Sequence, residues 1–296
     1  MSECINIRGS TWYFPSPANV GLVKMADNAV VLIDSGGDES AAKKILSILQ
    51  MKGWRLSLIV NTHSNADHIG GNAYLHEKTG CRIAATGLEA ALIEHPILEP
   101  SFLFGGFPPA PLRNKFLLAR PSAVSDVISA GELFGATLKA VSLPGHFLDM
   151  IGVLTPDGVF FVADCLFKEQ ILDKYKIPFI YDVKGFLETL AVIEQTNAEI
   201  FVPSHGEPTS DIRPLVRINR ERVLSICERI VQFCDTPTPF ELILKKLFDH
   251  YALNLDFTQY ALVGSTIRSF LSYLCSLKQV EAVFDENMLL WKKSTS

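Results

Sequence analysis

The chain has 296 residues, 48% hydrophobic and 20% charged, which is ordinary globular composition with enough apolar material for a sizeable core. That length suits one large domain, or one large and one small. The formal net charge of -5 argues against a nucleic-acid partner, because phosphate binding needs a basic face.

In chain order, the first two-thirds alternate between strand-like and helix-like segments. Residues 28–33 are an apolar run ended by the turn signal Asp34-Ser35-Gly36-Gly37. Residues 40–52 carry a helical pattern, with Ala42, Ile45, Leu46 and Leu49 on one face. Leu56 to Val60 form a second β-rich run, stopped by Asn61-Thr62-His63. A helix is predicted over 67–78 and a strand over 82–85. Residues 96–125 differ, because Pro96, Pro100, Gly105, Gly106, Pro108, Pro109, Pro111 and Pro121 break any regular element. Phe102, Phe104, Phe107 and Phe116 are interleaved among them, and a long aromatic loop of this kind is expected to cover a pocket or a subunit interface. Strands are predicted over 137–143, 151–155 and 159–163, the last two joined as a hairpin by Pro156-Asp157-Gly158. A helix over 184–195 and a strand over 199–203 complete an α/β pattern.

Near residue 209 the character changes. A long amphipathic helix is expected over 211–234, helices over 240–251 and 258–277, and then two short strands around Glu286-Asn287. Helix, helix, hairpin resembles a winged-helix-like module. Residues 211–296 hold eleven Lys/Arg and ten Asp/Glu, a balance that favours packing or dimerisation over DNA reading. The division expected is 1–208 and 209–296. The start, Met1-Ser2-Glu3-Cys4-Ile5, lacks a basic stretch followed by an apolar one. No uncharged apolar run reaches the roughly 18 residues of a membrane span. The six cysteines show no CxxC spacing. The expectation is a cytoplasmic protein with reduced, mostly buried thiols and no membrane partner.

His63, Asp67 and His68 sit just after a predicted buried strand and at the start of a predicted helix. Ligand sites of α/β proteins gather at such junctions. Imidazole and carboxylate donors suit Zn, Mn or Fe, and Gly70-Gly71 lets another backbone pass close by. Three further residues of ligand type lie just past the ends of apolar strands: His146 after Leu143-Pro144-Gly145, Asp164 after Val159–Ala163, and His205 after Ile200–Pro203 and Ser204. One such His is ordinary in a core; four occurrences in one chain point to a metal site. His76, His95 and His250 lie in or beside helical patterns and read as packing or surface residues.

On these residues the chain resembles the metallo-β-lactamase superfamily, whose signature is a His-x-His-x-Asp-His run followed by a lone His, a lone Asp and a last His. Thr62–Asn72, Leu143–His146, Ala163-Asp164 and Pro203–Gly206 match that order, and Asp34 resembles the family's early structural acid. The resemblance covers about residues 10–208 and implies an αββα sandwich. It implies one metal on His63, position 65 and His146, another on Asp67, His68 and His205, and Asp164 bridging them. The departure is Asn65, which stands where the family has its second His. An amide oxygen is a poorer zinc ligand than imidazole, so the first site is expected to be the weaker.

The activity implied is metal-dependent hydrolysis of a small ester, thioester, lactone or lactam. A metal-activated hydroxide would attack, since a metal lowers the pKa of bound water from about 15.7 to roughly 7, and Asp67 would orient it. Zn2+ is the expected ion, with Mn2+ or Fe as alternatives. An iron-dependent redox enzyme such as a sulfur dioxygenase would call for an intact first-site triad, and a non-catalytic metal-binding protein for a more degraded one. For substrate contacts, Phe104 and Phe107 are candidates for a lid, and Tyr181 and Lys184 for residues that reach the site. The partners expected are a small-molecule substrate and a second copy in a homodimer.

Overall fold

A computed structural model describes residues 3–133 and 137–295. Its first sheet has seven strands in spatial order β1 to β7: Ile5–Arg8, Thr11–Phe14, Val20–Lys24, Ala29–Ile33, Arg55–Val60, Arg82–Thr86 and Asp126–Ile128. The first four run antiparallel and the next three pairings are parallel. The second sheet has the order β12-β11-β10-β9-β8, built from Gly131–Leu133 (β8), Leu138–Ser142 (β9), Ile151–Leu154 (β10), Val159–Ala163 (β11) and Ile200–Pro203 (β12).

Period-two burial of the strands creates the layers. Val31 and Ile33 of β4 point inward to meet Val153, Phe161 and Val202 of the second sheet. Val30 and Leu32 point outward onto Ala42, Ile45 and Leu49 of the helix Glu39–Met51 (α1). Phe160 and Val162 of β11 point out the other way, onto Phe186, Leu190 and Ile193 of a later helix, Val183–Gln195. Helices therefore cover both outer faces, which is the αββα arrangement expected. The β10–β11 hairpin forms as predicted, with Val153 opposite Phe161.

Two expectations are corrected, and one region had no assignment. The helix predicted over 67–78 is two helices, Ala66–Ile69 (α2) and Asn72–Thr79 (α3), broken at Gly70-Gly71. The two glycines lie against the loop after β4, which leaves no room for a side chain at either position. A Cβ on Gly70 would lie 2.3 Å from the Gly37 carbonyl, and one on Gly71 2.4 Å from the Ser35 oxygen. The segment 96–125 is not devoid of regular structure. After Gly87–Glu94 (α4) comes the helix Leu98–Phe104 (α5), with Pro100 in its first turn, where a missing N–H costs nothing. The strands β1 to β3 were not anticipated at all.

Beyond β11 come Glu169–Tyr175 (α6), Val183–Gln195 (α7), Arg213–Phe233 (α8), Phe240–Tyr251 (α9) and Phe257–Ser276 (α10). Thr238–Pro239 (β13), Val280–Asp285 (β14) and Met288–Lys293 (β15) form a third small sheet, with Glu286-Asn287 as its hairpin turn. Residues of α8, α9 and α10, such as Ile226, Leu247 and Phe270, share one core with α7 and β11. The Ile180 backbone N–H also donates to Thr266 Oγ1 of α10 at 3.3 Å. No helix among the described residues is long and apolar enough to cross a membrane.

Candidate metal centre

Strand pairing brings the distant motifs together. β4 and β5 are parallel with Ile33 beside Val60, so Asp34 and Thr62-His63 emerge next to each other. β11 and β12 are parallel with Ala163 beside Pro203, so Asp164 and His205 do the same. His146 lies in the loop between β9 and β10, where Ser142 pairs with Ile151. Two of these strand ends carry a non-glycine residue in the left-handed region, Asp34 at φ 63° and Ala163 at φ 52°. Gly145, at φ 128°, presses so close to Phe186 that a Cβ would lie 2.2 Å from its nitrogen. Strained backbone of this kind is held in place by its surroundings and gathers at functional sites.

Two groups of side chains converge. Ligand-type atoms of His63, His146 and Asp164 lie within 4.8 Å of one another, and so do those of Asp67, His68 and His205. Asp164 also touches the second group, with Oδ1 3.2 Å from His68 Nε2 and Oδ2 3.0 Å from His205 Nε2. The first group is buried throughout. The second opens to solvent through Asp67, whose side chain is 49% exposed.

Each imidazole is oriented from behind. His68 Nδ1–H donates to Asp34 Oδ2 at 2.8 Å, His146 Nδ1–H to the Phe179 carbonyl at 3.0 Å, and His205 Nδ1–H to the Pro17 carbonyl at 2.5 Å. His63 Nδ1 lies 3.0 Å from Thr62 Oγ1, whose own hydrogen goes to Asp34 Oδ2 at 2.8 Å, so Nδ1 is the donor there too. All four rings thus turn Nε2 toward the centre. His63 Nε2, His68 Nε2 and Asp164 Oδ1 are buried with no hydrogen-bond partner. Buried polar atoms are rarely left so, and cations held between Asp164 and each of the two imidazoles would satisfy all three. Outer N–H bonds that fix the tautomer accompany metal-ligating histidines. The residues therefore fit a metal ion.

The electrostatics agree. Burial pushes His63 and His146 below the usual imidazole range. Burial opposes ionisation of Asp164, but the charges of His205 and His68 hold it well below the usual carboxylate range. The Asp164 charge in turn raises His205 to about 9. Burial would lower His68, yet Asp164, Asp67 and Asp34 together raise it well above its ordinary value. Without a cation the second group holds protons that a metal would displace.

Asn65 faces the first group, its Oδ1 3.0 Å from His146 Nε2. Two carboxylates that the sequence did not single out lie behind this loop. Glu89, fully buried, accepts from the Ser64 backbone N–H (2.9 Å), the Ser64 hydroxyl (2.6 Å) and the Asp149 backbone N–H (2.8 Å). Burial pushes its pKa up to about 7. Glu99, also buried, accepts from Asn65 Nδ2 at 2.9 Å. Burial and then the charges of Asp67 and Glu89 raise it well above the usual range.

A cleft of about 830 Å³ opens at Asp67 and His205, with walls that include Phe116, Phe167, Phe179, Leu262 and Val263. The 96–125 segment thus contributes Phe116, and α10 of the C-terminal region supplies one wall. The four substrate candidates read from sequence do not line the cleft. The Phe104 ring packs 6.1 Å from Phe257, and Phe107 stands in solvent with Arg113 5.4 Å from its ring centre. Tyr181 packs its ring against Phe102 while its backbone bonds to Gly145. Lys184 points outward to Glu188. Formation of α5 redirects Phe104 toward α10, which an assumption of loop for this segment could not anticipate.

A family model described as the metallo-beta-lactamase superfamily matches residues 13–205. A hydroxyacylglutathione hydrolase of Nitrobacter hamburgensis is 34% identical over 151 residues, 48% of this chain and 49% of that protein. One from Rhodopseudomonas palustris is 34% identical over 139 residues, 45% of each. The matched region is about half the length of these curated relatives. Among solved structures, a metallo-beta-lactamase family protein from Thermus thermophilus has a TM-score of 0.74 at 19% identity, covering 96% of this chain and 98% of that one. A beta-lactamase domain protein from Burkholderia ambifaria has a TM-score of 0.75 at 16% identity, covering 99% and 94%. These two share the fold over nearly the whole length, the C-terminal helices included. With its model matching 13–205 and the motif residues gathered at one centre, the chain belongs to the metallo-beta-lactamase superfamily.

Proposed function

We propose that this protein is a metal-dependent hydrolase of small acyl compounds, with a thioester as the first substrate class to test. The observation that carries the reading is the common orientation of four imidazoles, each tied at Nδ1 and each presenting Nε2 to one centre beside Asp164. His63, His146 and Asp164, with the Asn65 oxygen, would hold one ion; Asp67, His68 and His205, sharing Asp164, would hold the other. Zn2+ suits this mixed nitrogen and oxygen set, which also accepts Mn2+ or Fe. A bound ion would supply an activated water near neutral pH and a positive charge for the developing acyl oxyanion.

The chain's own residues do the rest. Asp67 stands at the cleft mouth, its Oδ2 3.5 Å from His205 Nε2, where a carboxylate can orient a water and take its proton. Phe167 and Phe179, with Phe116 at the solvent-exposed rim, offer an apolar wall for an acyl group. The cleft volume is that of a small-molecule site. The thioester class is favoured because the curated relatives are named hydroxyacylglutathione hydrolase, and lactones, esters and lactams share the same acyl chemistry.

The test is metal analysis of the purified protein, followed by a panel of S-acyl thiols, lactones and phosphodiesters. Bound zinc or manganese, with thiol release lost in Asp164→Ala, is the expected result. Near-zero metal, with no gain in thermal stability when zinc or manganese is supplied, refutes it.

A further inference from the structure

Asn65 immediately precedes the first residue of α2. Asparagine at such a position ordinarily accepts a hydrogen bond from an N–H of the first helical turn. Here the side chain makes no such bond. Its amide is turned away from the helix and stretched between two other groups. Nδ2 donates to Glu99 Oε1 at 2.9 Å, and Oδ1 lies 3.0 Å from His146 Nε2. That second contact is not a hydrogen bond in the neutral ring. His146 already donates its Nδ1–H to Phe179, so its Nε2 carries a lone pair, and Oδ1 carries lone pairs as well. Two acceptors held 3.0 Å apart call for a positive party between them.

The amide could avoid this conflict by rotating half a turn. Nδ2 would then donate to His146 Nε2 and use up the lone pair that faces the cluster. Glu99 opposes that rotation, because Oδ1 would then face the Glu99 oxygen, acceptor against acceptor. Glu99 is brought here by the first turn of α5 and is buried, so its carboxyl has little freedom to turn elsewhere.

We propose that Glu99 is a positioning residue that locks the Asn65 amide with its oxygen toward His63, His146 and Asp164. Asn65 then acts as a fourth donor, and the first cluster keeps two nitrogens and two oxygens despite lacking the family's second His. The proposal rests on the metal reading above.

Calorimetric zinc titration of the metal-stripped full chain tests it without recourse to turnover. Wild type is expected to bind in two steps. Glu99→Leu weakens the weaker step by about tenfold or more, the scale on which partners of ligands act, and leaves the tighter step within about twofold. Asn65→Ala weakens the same step, and the double variant is no weaker than Asn65→Ala, because Glu99 acts through Asn65. Glu99→Gln, whose amide oxygen still accepts, stays within about threefold of wild type. Additive losses in the double variant, or a Gln variant as weak as the Leu one, overturn the proposal. So does a weaker step that Glu99→Leu leaves untouched. Should the Leu variant fail to fold, Glu99→Ala takes its place with the same expectations. A wild-type chain with no zinc step overturns the metal reading itself, whereas the variant outcomes above overturn this proposal alone.

Discussion

Asp34→Asn separates the orientation of the His68 ring from the backbone geometry of the turn that carries it. Asp34 sits at φ 63°, and Asn tolerates that left-handed backbone while matching Asp in shape. The substitution therefore changes hydrogen bonding without straining the turn. Three donors converge on the carboxylate: the Thr62 N–H on Oδ1, and the Thr62 hydroxyl and His68 Nδ1–H on Oδ2, each at 2.8 Å. An amide offers one oxygen and one NH2. With its oxygen on the Thr62 N–H, its NH2 faces the Thr62 hydroxyl, which can rotate to accept, and His68 Nδ1, which cannot accept while it carries hydrogen. His68 must then lose its bond or move the proton to Nε2, surrendering the lone pair that faces the cluster. A hydrogen bond to a charged group is worth about 1.5–3 kcal/mol, so the metal-free protein should lose about 2 kcal/mol of folding stability. Loss of an outer partner costs about 10–100-fold in metal affinity, and it should fall on the tighter zinc step. Urea unfolding in chelator and zinc titration measure the two effects. A variant with wild-type stability and zinc affinity within twofold would show that Asp34 does not set the His68 tautomer.

Glu89→Gln should change both stability and its pH dependence. The folded pKa of about 7 lies above the ordinary 4.5, so this group's stabilising contribution is complete below pH 4.5 and lost as pH rises through 7. The shift corresponds to about 3 kcal/mol. Unfolding free energies at pH 5 and pH 8 should show a shallower fall in the Gln variant, and equal falls would count against the assignment. At pH 5 the variant should also be about 1–3 kcal/mol weaker, since its NH2 must face a buried backbone N–H. Gly70→Ala places a Cβ 2.3 Å from the Gly37 backbone and should cost more than about 2 kcal/mol; an unchanged melting temperature would contradict the close approach. Leu262→Trp puts bulk into the cleft from α10 and should raise KM about tenfold or more with metal content unchanged. An unaltered KM would remove the C-terminal wall from the substrate site.

The parts of the site legible in sequence were those where an apolar strand stops at a polar residue. Val159–Ala163 before Asp164 and Ile200–Pro203 before His205 are buried runs, and their ends must face a ligand or water. Among the first three strands, β1 lacked that contrast. β1 is mostly exposed and only four residues long, so neither periodicity nor hydrophobic content marks it. Glu89 and Glu99 were missed for a related reason. In a sequence a carboxylate on a short helix reads as a solvated residue, and only packing shows that both are buried. The cleft walls were the least accessible, because Phe116, Phe167 and Leu262 come from three segments whose meeting depends on the tertiary fold.

The two clusters differ in burial, and the difference bears on why an amide oxygen suits the first. His63, His146 and Asp164 are enclosed, whereas Asp67 and His205 border the cleft. On the proposed reading substrate would meet the second cluster, and the enclosed one has to keep its donors in place without help from solvent. In a low-dielectric enclosure a dipole of fixed orientation interacts more strongly with a charge than it would in water. An unconstrained amide would squander that advantage by rotating onto His146. A buried Glu99 removes the rotation, so the cost of lacking an imidazole at position 65 depends less on the amide itself than on the carboxyl behind it.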